Sequence, residues 1–284
     1  MDKKKTIPEE VAEEKRPAKN VRLLGEMPDM LALGTNPGNG VLEKGISMRR
    51  WNLKAEKELG ALVGENKGVS VSYYTAMILS RMCTRIGHYD FTKDDMKPEA
   101  KAMMVDQMYM GDVYSAWLHL RIKALGNILN LEITCPTCDH SNKVPADLNT
   151  VEVNTAESIE ELYWDYDLVE PIEIRGKKVT GFKFGPPRWS VMGQIDSPNN
   201  MGEAKAKIIL GSIVGIKGHD AEIALAIHEL DELGKLDYET ISSRVNERPL
   251  GPDMSIEAKC GKCKREIVQP IDWTYNNFFS ISSR

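Results

Sequence analysis

Two Cys-x-x-Cys pairs, Cys135/Cys138 and Cys260/Cys263, constrain this chain more than any other feature. Each pair follows a short β-like stretch, Leu131–Thr134 and Ser255–Lys259, and each precedes another. A tight turn of this kind points two thiolates inward, and two such turns supply the four soft ligands that tetrahedral zinc prefers. The spacing is unusual: 121 residues separate Cys138 from Cys260, against roughly 15–20 in a compact ribbon. One ion shared by both pairs predicts a structural Zn2+ on Cys135, Cys138, Cys260 and Cys263. It would staple distant parts of the fold and leave no open coordination position. Two other readings compete. A disulfide leaves Cys83 over, and redox-active pairs need a strand-to-helix junction that neither pair shows. His140 reads as a solvated turn residue. Cys83 reads as a small core residue on an amphipathic helix.

Composition narrows the class. An apolar fraction of 42% is enough for a core, and 28% charged residues fits a soluble protein. The net charge of −5 argues against non-specific nucleic-acid binding, which runs on Lys and Arg neutralising phosphates. No apolar run approaches the roughly 18 residues of a membrane span, and no N-terminal apolar segment of a secretory signal is seen. The expectation is synthesis in the cytoplasm, no membrane association, and a reducing compartment that suits metal-bound thiolates.

The expected organisation is a disordered tail over 1–20 and a Gly/Pro-rich arm over 21–45. A helical region follows over 46–130. A zinc-knuckle region over 131–279 carries a long α/β insertion between its cysteine pairs, and 280–284 is a tail. The tail mixes Lys4, Lys5, Glu9, Glu10, Glu13 and Glu14 with little to bury. The arm has Gly25, Gly34, Gly38, Gly40 and Gly45 and reads as a long loop. Ile46–Trp51 reads as a strand, with Asn52 capping a helix to about Val63. Further helices are expected over 71–86, ended by Gly87, from Pro98 to about Met108, and over 113–125, capped by Asp112 and closed by Gly126. Methionines at 77, 82, 96, 103, 104, 108 and 110 read chiefly as irregular core filling.

After the first pair the pattern turns to strands at Lys143–Pro145 and Val151–Val153. The acidic stretch Glu157–Glu170, interleaved with Ile159, Leu162, Tyr163, Trp164 and Tyr166, reads as a solvated helix face with a buried side. Ile172–Ile174 and Val179–Phe184 form a hairpin about Arg175-Gly176-Lys177. Helices are then expected over 201–214, 220–233 and 238–246, the last capped by Asp237. The fold class predicted is α+β: a mostly helical body with two β-hairpin zinc knuckles joined in one four-cysteine, zinc-ribbon-like site.

Catalytic signatures are missing. There is no G-x-x-x-x-G-K-[ST], no H-E-x-x-H and no G-x-S-x-G. His88, His119 and His219 are scattered, and the adjacent Asp94-Asp95 seldom make an acid/base pair. No catalytic residue and no cofactor other than zinc is assigned.

The order of motifs carries a resemblance. I-S-M-R-R-W precedes a helix beginning N-L-K-A-E-K-E-L; D-V-Y-S-A-W-L-H-L-R-I-K-A-L-G runs into I-T-C-P-T-C; A-K-C-G-K-C and N-N-F-F close the chain. This layout, over roughly Ile46–Phe279, resembles the baseplate hub subunit and hub-assembly chaperone family of T-even-like contractile-tailed bacteriophages. Knuckles of that family carry Gly after the second Cys, where this chain has Asp139 and Lys264. The resemblance implies a non-enzymatic tail protein. It would bind other baseplate hub proteins, with the tape-measure protein a further candidate, in the host cytoplasm during assembly or in the virion baseplate. The rival reading, a zinc-ribbon nucleic-acid-binding protein of transcription-factor type, draws on the basic runs Arg175–Lys178 and Lys262–Arg265.

Overall fold

The computed structural model describes residues 20–65, 70–93, 95–195, 201–217, 225–247, 250–274 and 278–279. The expected tails, 1–20 apart from Asn20 and 280–284, lie outside these residues. In chain order the elements are β1 (Asn20–Leu23), β2 (Met30–Thr35), β3 (Glu43–Met48), α1 (Leu53–Glu65), α2 (Val71–Met82), β4 (Cys83–Ile86) and β5 (Tyr89–Asp90). Then come α3 (Pro98–Asp106), α4 (Met110–Leu125), β6 (Ile128–Thr134), β7 (Ser141–Asp147), β8 (Glu152–Thr155), β9 (Trp164–Ile174) and β10 (Lys177–Phe184). Last are α5 (Ser190–Ile195), α6 (Met201–Ser212), β11 (Ile213–Ile216), α7 (Lys235–Glu247), β12 (Gly251–Pro252), β13 (Ser255–Lys259) and β14 (Glu266–Pro270).

Helices take 38% and strands 33%, so the expected mostly helical body is corrected. The fold is α+β with several small sheets. Three stretches expected to be helical account for much of the difference. Cys83–Ile86 leaves the helix to pair with β3, Ile46 opposite Ile86. The acidic stretch becomes a short 3-10 turn and then β9, where Tyr166, Leu168, Ile172 and Ile174 are buried on one face at even spacing. Of the helix expected over 220–233, residues 220–224 lie outside the described residues. From Leu225 on only a 3-10 turn at Ile227–Leu230 forms.

The Gly/Pro-rich segment is not a loose arm. β1 pairs antiparallel with β8, and β2 opens the sheet β2-β3-β4-β5. Leu24, Met27, Leu31, Ala32 and Leu33 are fully enclosed. An apolar run of this kind is what a strand covered on both faces requires, and here α4 supplies part of the cover. Asn52 caps α1 as expected, its Oδ1 accepting from the Ala55 amide at 3.0 Å. Met77, Met82 and Met108 fill this core, whereas Met103 is exposed.

Two aspartates expected at helix caps do a different job. β2 and β3 lose register between Met30 and Thr35, so the amides of Leu33 and Gly34 have no ladder partner there. Asp112, inside the first turn of α4, takes both: Oδ1 accepts from Leu33 at 2.8 Å and Oδ2 from Gly34 at 3.0 Å. Likewise β9 slips against β10 near Val179 and Gly181. Asp237, in the first turn of α7, accepts from the Val169 amide at 3.0 Å and the Tyr166 hydroxyl at 2.8 Å. Each carboxylate meets a backbone donor that a bulged strand leaves without a partner.

Asp112 makes stability depend on pH. Burial raises its pKa from 3.8 to about 6, against the lowering effect of the Leu33 and Gly34 amides. A carboxyl whose folded pKa is raised contributes stability that is fully present below its unfolded pKa and is lost as pH rises through the folded value. The window is therefore about pH 4 to 6. Asp112→Asn should remove that component, shrinking the loss of stability from pH 4 to pH 7, relative to the unsubstituted protein, by on the order of 2 kcal/mol. Urea denaturation at the two pH values reads it, and identical pH profiles would refute it.

A second, smaller core lies under β9, β10 and β11, where Phe182, Phe184, Ile209 and Ile241 are buried. The two-residue turn Arg175–Gly176 has φ of 52° and 75° at its centre. Such left-handed pairs match the twist of antiparallel strands, and the hairpin falls where the sequence places it. The segment after β10 returns to the main core. Trp189 is buried there and donates Nε1–H to the Ser72 carbonyl at 2.9 Å. The chain then comes back to the second cysteine pair through β12, which touches the start of α4 backbone to backbone. A Cβ on Gly111 would stand 2.2 Å from the Leu250 oxygen, and one on Gly251 2.5 Å from the Gly111 Cα. Only glycine allows that approach.

Candidate metal centre

Both cysteine pairs sit at the tips of antiparallel hairpins. β6 and β7 pair in register from Ile128 opposite Asp147 to Thr134 opposite Ser141. β13 and β14 pair from Ser255 opposite Pro270 to Lys259 opposite Glu266. Each hairpin is closed by a loop of the same length, 135–140 and 260–265, with the same bonds. The Cys135 amide donates to the His140 carbonyl at 2.9 Å, and Cys260 to Arg265 at 2.9 Å. The Asp139 amide donates back to Cys135 at 3.0 Å, and Lys264 to Cys260 at 3.0 Å.

That return bond requires a left-handed residue after the second cysteine, and both positions have it: Asp139 at φ 52° and Lys264 at φ 64°. The conformation favours glycine, tolerates aspartate and is costly for lysine. Lys264→Gly should therefore raise stability, by about 0.5–1 kcal/mol once the extra freedom of glycine in the unfolded chain is deducted. A thermal melt lower than that of the unsubstituted protein would contradict it.

The tertiary fold brings the four sulfurs together, all within 4.8 Å of one another. Cys135 Sγ lies 3.6 Å from Cys263 Sγ, and Cys138 Sγ 3.7 Å from Cys260 Sγ, so the nearest neighbours belong to different hairpins. All five cysteines are free thiols. A tetrahedral ion with bonds of about 2.3 Å to sulfur spaces its ligands about 3.8 Å apart, so the four residues fit a thiolate-bound metal. Cys135 and Cys260 are buried, in a small core with Ile133 and Ile267.

The loops also supply amides to the sulfurs. The Cys263 and Lys262 amides hold the Cys260 thiol down to about 6. The Thr137 amide, helped by that of Cys138, lowers Cys135. At Cys138 the His140 amide acts downward, but burial and the sulfurs of Cys263, Cys260 and Cys135 outweigh it and push the thiol up to about 11. Amide donors of this kind favour thiolates, the form a metal takes.

One contributor carried no signal in the sequence. Asn142 is buried on β7 and bridges the two knuckles. Its amide group donates to the carbonyls of His140 at 2.8 Å and Ile133 at 3.2 Å, and its oxygen accepts from the Gly261 amide at 2.8 Å. His140 is exposed, as expected of a solvated turn residue. Cys83 is remote from the cluster, buried on β4, not on a helix as expected, and burial pushes its thiol up to about 12.

The fold and this site define an α+β protein in which one four-cysteine centre is assembled from two hairpins far apart in the chain. A family model described as T4 bacteriophage base plate protein matches residues 90–278, which takes in both knuckles and everything between them. The chain belongs to that family. The match starts later than the resemblance at Ile46, so the I-S-M-R-R-W and N-L-K-A-E-K-E-L stretches lie outside it. No curated protein and no solved structure matches the chain. Among the described residues no helix is long and apolar enough to cross a membrane.

Proposed function

We propose that this protein is a non-enzymatic hub component of the phage tail baseplate, a hub-assembly chaperone or a minor hub subunit, held in shape by one structural zinc ion. The observation that carries the reading is the family match over residues 90–278. The site supports the non-enzymatic part: an ion held by Cys135, Cys138, Cys260 and Cys263 has all four tetrahedral positions filled by sulfur, with none left for substrate. The protein binds other hub proteins in the host cytoplasm during assembly.

The test is co-expression with the hub and tape-measure proteins of the same genome, followed by pull-down in high salt. Salt-resistant co-purification with a hub protein is expected. Failure to bind any tail protein, together with tight DNA binding that weakens steeply with salt, would overturn the reading.

A further inference from the structure

The I-S-M-R-R-W stretch falls outside the matched family region, yet its Arg49 lines a groove on the folded body. This opening, of about 510 Å³, is framed by α1, α2, α3 and β4. Among the described residues three cations line it, Arg49, Arg81 and Lys101, against one lining carboxylate, Glu58. Glu58 is already engaged, its Oε2 accepting from Arg49 Nη2 at 2.8 Å. Arg49 Nε is buried and has no hydrogen-bond partner among the described residues. Arg81 has no ion pair among the described residues and donates only weakly, to the Met77 carbonyl at 3.3 Å and the Met77 sulfur at 3.5 Å. Lys101 donates to the Phe91 carbonyl at 2.6 Å. Glu99 on α3 acts on Arg81 only at longer range.

Half-buried guanidinium groups with spare donors call for anionic oxygens, and their planar forks match carboxylates. The groove is far larger than one small anion fills and lies within the range of sites that hold extended ligands. Phe91 and Met96 line it beside the cations, which suits a chain carrying apolar residues among acids.

We propose that this groove docks an acidic segment of a partner protein, its carboxylates engaging Arg49, Arg81 and Lys101. The inference rests on the protein-binding reading above and names the chemistry of one contact.

The probe is fluorescein-labelled hexaglutamate, followed by anisotropy against the full-length, metal-loaded protein at low salt. Saturable binding is expected. Arg81→Gln and Lys101→Gln should each weaken it about tenfold, while Lys178→Gln, exposed on β10, leaves it unchanged. Glu58→Gln removes the competing carboxylate and should tighten binding several-fold, a gain that a damaged fold does not produce. Absence of binding, an equal loss with Lys178→Gln, or full displacement by equimolar inorganic phosphate would each overturn the proposal. If the peptide fails while hub proteins still co-purify, the groove assignment falls and the function stands. If the peptide binds and no tail protein does, the function falls.

Discussion

Cys260→Ser should strip the protein of its metal and lower its melting temperature by about 10 °C or more. Structural zinc contributes on the order of 10 kcal/mol to the folding of zinc-finger peptides. Here the hairpins are also tied down elsewhere, β6 through the end of α4 and β13 through β12, so a smaller share, of several kcal/mol, is expected. In a chain of this size each kcal/mol moves the melting point by about 2–4 °C. Chelation of the unsubstituted protein should reproduce the loss, and metal analysis should fall from about one ion per chain to a small fraction, since three thiolates leave the tetrahedral shell incomplete. Cys83→Ser is the control. It buries a hydroxyl in β4 and so costs stability, but it should leave the metal content unchanged. Purified metal-free protein that melts at the same temperature as the loaded form would end the structural-zinc reading.

Arg121→Ala should cost about 2–4 kcal/mol, read as a shift of the urea midpoint. Arg121 is buried on α4 and has no carboxylate partner among the described residues. Its guanidinium spends itself on three backbone oxygens: Nε on Phe278 at 2.8 Å, Nη1 on Gly126 at 2.6 Å and Nη2 on Ile128 at 3.2 Å. These carbonyls belong to the end of α4, the start of β6 and the C-terminal segment, so one side chain joins three parts of the fold. Truncation leaves the Phe278 oxygen unsatisfied in the interior, at about 1–3 kcal/mol before relaxation, and removes the packing of the buried stem, while the oxygens of the exposed Gly126 and Ile128 turn to water. Arg121→Lys should recover only part of the loss, because an ammonium cannot reproduce the fork. The C-terminal aromatics depend on the same join. Trp117 donates Nε1–H to the Trp273 carbonyl at 3.0 Å, Phe278 is fully buried, and Phe279 stacks on Trp51 at 5.0 Å. Arg121→Ala should therefore also speed amide hydrogen exchange at Phe278, whose amide donates to the Thr274 carbonyl at 2.8 Å. A variant within 1 kcal/mol of the unsubstituted protein would show that water replaces the guanidinium without loss.

Features that depend on a few neighbouring residues were legible in the sequence. The cysteine pairs, their hairpin setting, the Arg175–Gly176 turn and the Asn52 cap are each encoded within a span of about six residues. Their chemistry is that of short loops, left-handed positions and local hydrogen bonds. The pairing of the two knuckles was legible for a different reason: four soft ligands have one obvious use, however long the chain between them. The tertiary structure alone decided what depends on distant partners. Leu31, Ala32 and Leu33 sit among glycines and form a buried strand because α4 and β3 cover it. Cys83–Ile86 continues a helical pattern, yet sheet pairing with β3 outweighs helix propensity there. Asp112 and Asp237 have the local signature of helix caps. Their role was set by unpaired amides on Leu33, Gly34 and Val169, which belong to strands 79, 78 and 68 residues away. Asn142 became a bridge between the knuckles only because Gly261 arrives 119 residues later. A side chain's local preference is worth about 1 kcal/mol, whereas an unsatisfied buried donor costs more, so the distant partner prevails.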